Sequence, residues 1–78
     1  MKLNIKYFGI IAEAAGKTEE VLEVSDEVSL DELKQERVQN YKIQDPDSIQ
    51  LAVNHELKFN IKLKDGDEIA FLPPFAGG

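Results

Sequence analysis

The sequence contains no cysteine, and that absence removes several chemistries at once. Disulfides, thiolate metal sites and a cysteine nucleophile are excluded. A single histidine, His55, leaves a histidine metal site or a Ser-His-Asp triad short of its parts. Apolar runs extend only a few residues, far short of the roughly 20 that span a bilayer. Met1-Lys2 does not lead into an apolar signal core with a cleavage site, so the cytoplasm is the expected compartment. Positive charge is scarce: 9 Lys and Arg stand against 15 Asp and Glu, a formal net charge of −6. That balance disfavours nucleic acid and anionic membranes as partners, since both need cationic neutralisation.

What is present suits one small soluble domain. The 78 residues are 42% hydrophobic and 31% charged, near the lower size at which a chain folds without staples. Lys2-Leu3-Asn4-Ile5-Lys6-Tyr7-Phe8 alternates polar and apolar, which predicts a half-buried strand with Leu3, Ile5 and Tyr7 inward. Phe8 falls on the opposite, wetter face. Gly9 breaks the strand, and residues 10–15 allow one or two helical turns closed by Gly16. Thr18 to Val24 reads as a second strand with Leu22 and Val24 on one face. Its acids Glu19, Glu20 and Glu23 are expected on a solvated face, because no histidine or metal motif accompanies them as catalytic partners.

The clearest local signal opens the helix. Ser29 and Glu32 have capping-box spacing, and Val28 and Leu33 occupy the positions of a hydrophobic staple. Leu30, Leu33, Val38 and Tyr41 then form an apolar stripe, ending near Tyr41. Lys34 and Arg37 interrupt that stripe and are expected to reach outward along their stems. Asp45-Pro46-Asp47 marks a turn. Ile49 to Asn54 alternates again, with Ile49, Leu51 and Val53 inward; Asn54-His55-Glu56 is a turn with His55 on the surface. Leu57 to Leu63 keeps period two as a short strand and extended connection. After the turn at Lys64-Asp65-Gly66-Asp67, residues Glu68 to Leu72 are apolar on both faces, which predicts a strand central in its sheet. Strand, strand, helix, strand, short strand, strand describes an α+β domain, the β-grasp or ubiquitin-like arrangement, with the helix across a mixed sheet.

The chain closes on Pro73-Pro74-Phe75-Ala76-Gly77-Gly78. Two prolines lack backbone donors and fix φ, so they end sheet pairing and stiffen the exit. Gly77 and Gly78 can follow a path too narrow for any other residue. Residues 1–72 are therefore expected to form the domain and residues 73–78 an extended tail. A frayed terminus is the plain alternative for such an ending.

The set Gly66-Asp67-Glu68, Pro73-Pro74 and Gly77-Gly78 resembles the small, sulfur-carrying subunit of molybdopterin synthase, in the MoaD and ThiS ubiquitin-like family. Lys6-Tyr7-Phe8-Gly9 with Ala12-Glu13, and Val53-Asn54, agree with it. The tail departs in having Ala76, preceded by bulky Phe75, where serine is common; Arg37 replaces a usual apolar helix residue. The resemblance implies that an ATP-dependent partner, similar to ubiquitin-activating enzymes, adenylates Gly78. The terminal carboxyl becomes a thiocarboxylate, enters the large synthase subunit and gives sulfur to a pyranopterin precursor in molybdenum cofactor biosynthesis. An α-carboxyl with a pKa of about 3.3–3.7 is an anion at neutral pH and a poor electrophile, so activation must come first. On this reading the protein is a carrier without catalytic residues, metal or permanently bound cofactor, and works in a heterotetramer of two small and two large subunits. Gly78 is modified, Gly77 and Ala76 thread the partner's channel, and Phe75, Pro74, Pro73, Leu72, Phe71 and Phe8 are the candidate docking residues. For Phe71 and Leu72 core packing is an equal alternative. A sulfur carrier for thiamine or tRNA thiolation, a ubiquitin-like modifier of lysines, and a binding module with an inert tail are the competing functions.

Overall fold

In the computed structural model, which describes residues 1–43, 46–57 and 61–73, alternation decides the first strand. β1 (Lys2–Tyr7) buries Leu3, Ile5 and Tyr7 and exposes Lys2 and Asn4. A short helix α1 (Gly9–Ala15) follows at once and ends at Gly16, whose φ of 74° allows its amide to donate to the Ala12 carbonyl at 2.9 Å. β2 (Glu19–Glu23) returns antiparallel beside β1, with Leu22 opposite Leu3 and Glu20 opposite Ile5. The expected capping box starts α2 (Leu30–Tyr41): the Glu32 amide donates to Ser29 Oγ at 3.1 Å and the Ser29 amide to Glu32 Oε1 at 3.2 Å. Each side chain of the box therefore satisfies an amide that would otherwise lack a partner.

A 3₁₀ turn (Pro46–Ser48) leads to β3 (Gln50–Val53), β4 (Glu56–Leu57) and finally β5 (Glu68–Leu72). The sheet order is β2-β1-β5-β3-β4. β5 is the central strand, parallel to β1 and antiparallel to β3, as its apolar composition predicts. Leu30 and Leu33 of α2 join Leu3, Ile5, Tyr7, Leu51, Val53, Ile69 and Phe71 in one core, so α2 packs across this face of the sheet. The architecture is a β-grasp.

Two expectations about polar residues need correction. Glu20 shares the inner face of β2 with Leu22 rather than the solvated face with Glu19 and Glu23. Arg37 does not reach outward: its side chain is 11% exposed and turns to Glu20, itself 15% exposed, with Nη1 to Oε2 at 3.4 Å. The cause is reciprocal. A charge in the helix stripe and a charge on the facing strand each offset part of the cost of burying the other. Tyr41 donates to the same carboxylate oxygen at 2.7 Å, and Tyr7 donates to it as well. Lys34 likewise folds inward, donating to the Ile49 carbonyl at 3.2 Å.

Candidate functional site

The start of β5 is built from the Asp65-Gly66-Asp67-Glu68 motif, and its role is mechanical. The Gly66 amide donates to the Lys2 carbonyl at 2.7 Å, and the Asn4 amide to the Asp67 carbonyl at 2.9 Å. Asp67 Oδ2 accepts the Lys64 amide at 2.8 Å. Asn54 completes the set. It has a φ of 52° and His55 a φ of 74°, the two left-handed residues of a tight hairpin turn, where Asn is favoured. Its side chain accepts the Glu68 amide at 3.0 Å and donates to Asp67 Oδ1 at 3.0 Å. The strand that ends in the tail is thereby fixed at its beginning to both neighbours.

The far end of β5 is different in kind. Tyr7 lies opposite Phe71 across the parallel β1–β5 pair, so Phe8 and Leu72 follow side by side on the face away from α2. Phe8 is 44% exposed and Leu72 half-buried. Ala70, also half-buried, lies on this face opposite Lys6, and Val21 of β2 is 62% exposed on it. The second apolar face of β5 is thus only partly covered, and the fold itself does not account for it. Beyond Phe8, Ile10 is 60% exposed while its neighbour Ile11 is fully buried. Pro73 is half-buried and rests against Gly9, with its Cγ 3.0 Å from where a Gly9 Cβ would stand.

Among the expected docking residues, then, Phe8, Leu72 and Pro73 come together at this root. Phe71 does not: it is fully buried in the core, 5.5 Å ring to ring from Tyr7, and takes the core alternative. Pro74, Phe75, Ala76, Gly77 and Gly78 lie outside the described residues. Ile10 and Val21 are not among the docking residues expected from the sequence. Adjacent helix residues do not share a face, so a helix as short as α1 that buries Ile11 leaves Ile10 out; Val21 follows from the alternation around Leu22.

The electrostatics of the open face are mild. Lys6 Nζ is 3.3 Å and His55 Nε2 3.4 Å from the Glu68 carboxylate on the open face, pairs of the exposed kind that add little stability. The stronger perturbation is inside. Burial would push the Glu20 carboxyl up, but hydrogen bonds from Tyr7 and Tyr41 and the charges of Lys17 and Arg37 outweigh it and hold the group below its usual range. Burial, then the Glu20 carboxylate, pushes the Tyr7 phenol above its ordinary value. A shallow cleft of about 670 Å³, lined by Val28, Ile61 and Leu63 among others, lies beside Met1 at the opposite end of β1. The side chains at the root offer apolar area rather than ionisable groups. Among the described residues no helix is long and apolar enough to cross a membrane.

Known proteins agree on the whole length. Residues 5–78 match the ThiS family. A molybdopterin synthase sulfur carrier subunit from Mycobacterium tuberculosis is 37% identical across an alignment covering all of this chain and 99% of that one. One of the same name from Chlamydomonas reinhardtii is 30% identical, covering both chains in full. Among solved structures, a complex of subunits 1 and 2 of the molybdopterin-converting factor from Helicobacter pylori includes a chain matching with a TM-score of 0.71. That chain is 29% identical and both are fully covered.

Proposed function

This chain belongs to the ThiS family, and from that premise we infer that it is the sulfur-carrier subunit of a molybdopterin synthase. The full-length likeness to proteins of that name carries the reading. Gly78 is the terminal carboxyl group that an ATP-dependent partner activates. The carboxylate attacks the α-phosphate of ATP, giving an acyl-adenylate and pyrophosphate. Hydrosulfide released from a separate donor then attacks the acyl carbon and displaces AMP, leaving a thiocarboxylate. The sulfur next passes to a pyranopterin precursor within the large subunit, which supplies the catalytic residues. ATP belongs to the activating partner, and the cytoplasm is the compartment of the reaction.

The root of the tail gives this reading a physical basis. Apolar surface on Phe8, Ile10, Leu72 and Pro73 surrounds the exit of the chain, so docking there would bring the carboxyl end to the partner with the same contact that holds the domain. A subunit of the H. pylori complex has this fold, which supports a large subunit as the partner. Intact mass spectrometry tests the reading. After incubation with ATP, a sulfur donor and an activating enzyme, one oxygen of Gly78 is expected to be replaced by sulfur. No mass change with several competent activating enzymes would overturn it.

A further inference from the structure

One glycine at the root of the tail is unlike the other two that the structure describes with positive φ. Gly9, Gly16 and Gly66 have φ of 57°, 74° and 87°. A Cβ at Gly16 or Gly66 would meet nothing within 4 Å. A Cβ at Gly9 would stand 3.0 Å from Cγ, 3.6 Å from Cβ and 4.0 Å from Cδ of Pro73. At the two turns glycine serves the backbone alone; at Gly9 it also leaves room for a ring. That ring belongs to the residue with which the chain leaves β5. Because β1 and β5 are parallel with Tyr7 opposite Phe71, their ends emerge together, and Gly9 meets Pro73 two residues later.

We propose that Gly9 is a positioning residue for the carboxyl tail: its bare Cα seats the Pro73 ring, and this contact sets the direction in which the chain leaves the sheet. The inference rests on the carrier reading and adds to it a residue that touches no reacting atom. The rings of Pro73 and Pro74 restrict φ at both positions, which limits how much of a displacement at the seat those two residues can absorb. Five residues follow Pro73, a reach of about 17 Å at most. At the end of that reach an error of about 1 Å in placing a reacting group can slow a reaction by about 10²-fold.

The test pairs two substitutions with similar backbone strain. Gly9→Ala and Gly16→Ala both put a Cβ at positive φ, and both are expected to lower Tm comparably. Only Gly9→Ala meets Pro73. In ATP-dependent loading it is expected to lower kcat by about tenfold while KM for the carrier stays within about twofold, because the docking side chains are unchanged. Gly16→Ala is expected to leave both constants alone. In a Pro73→Ala background, which lacks Cγ and Cδ, adding Gly9→Ala is expected to cost less than about twofold. An equal loss with and without the ring, or an equal loss from Gly16→Ala, overturns the proposal. Should Gly9→Ala not fold, Gly9→Asn carries the same Cβ in a backbone conformation that Asn tolerates, and the same loss in kcat is expected.

A nuclear Overhauser contact between Gly9 Hα and Pro73 Hγ in the unsubstituted protein is a readout free of loading. Its absence overturns the seat. Its presence in a protein that no activating enzyme loads supports the seat while the carrier reading fails.

Discussion

The two ends of β5 are held by opposite means. At its beginning, Asp67, Glu68, Asn54, Lys64, Lys2 and Asn4 form a mesh of hydrogen bonds that ties the strand to β1 and β3. At its exit, Pro73 rests on Gly9 beside exposed Phe8 and Ile10. Hydrogen bonds are directional and fix register; apolar contact is non-directional and available to whatever next covers it. One strand is thus anchored at one end and presents apolar surface at the other. A carrier needs that division, since the group it delivers must be steered while the domain behind it stays folded.

The comparison breaks most completely at the presenting end. Deleting Gly77 and Gly78 is expected to abolish sulfur loading, measured by intact mass, and to leave Tm within about 2 °C, because glycine has no side chain to contribute to a core. At the anchored end the pattern should invert. Asn54→Ala removes a side chain that bonds both Asp67 and Glu68 and suits a left-handed turn. It is expected to cost about 1–3 kcal/mol, which lowers Tm by roughly 4–24 °C in a domain of this size. Loading of the still-folded protein at low temperature should be unchanged. A truncation that unfolds the domain, or an Asn54→Ala that stops loading without lowering Tm, would erase the distinction.

Much of this was legible in the chain. Period-two burial identified the inner faces of β1 and β3, the Ser29–Glu32 spacing identified the start of α2, and double-sided apolarity put β5 at the centre of the sheet. Glu20 and Arg37 depart from the sequence pattern for one reason. A charge at an inward position signals error or exposure until its partner is known, and the partner here is 17 residues away on another element. Pattern within one segment carries no information about such pairs. Gly9 was legible as a strand breaker; its seat for Pro73 depends on the parallel register of two strands separated by most of the chain. Phe71 and Leu72 illustrate the same limit. Adjacent and both apolar, they part company only once the sheet has a covered and an open face.

A milder perturbation sharpens the presenting end. Phe8→Ser removes exposed apolar area from the root without touching the core. It is expected to weaken binding to the large subunit by about tenfold, or about 1.4 kcal/mol, as measured by calorimetry, with little change in Tm. Val21→Ser, on the same open face but two strands from the tail, is expected to do less. Equal effects at both positions would mean that the whole sheet face docks, not its tail end.

The smallest effect concerns pH and belongs to the anchored interior. Glu20 accepts from Tyr7 and Tyr41 and pairs with Arg37, and its carboxyl is held below the ordinary range in the folded protein. An unfolded chain therefore binds the proton first as pH falls, and stability must rise with pH across that window. The contribution is fully present above the unfolded value of about 4.3 and is lost as pH drops through the lower folded value. Glu20→Gln keeps an acceptor but abolishes the titration. At pH 7 the variant is expected to be less stable than the parent, and the gap in denaturant-derived stability should narrow below about pH 4. Because Tyr7 also packs its ring against Phe71, the same acidification loosens the inner support of β5 while leaving the Gly9–Pro73 contact, which contains no titrating group, as it was. A loading rate per folded molecule that tracked Glu20 protonation would show that the two ends of the strand are coupled after all.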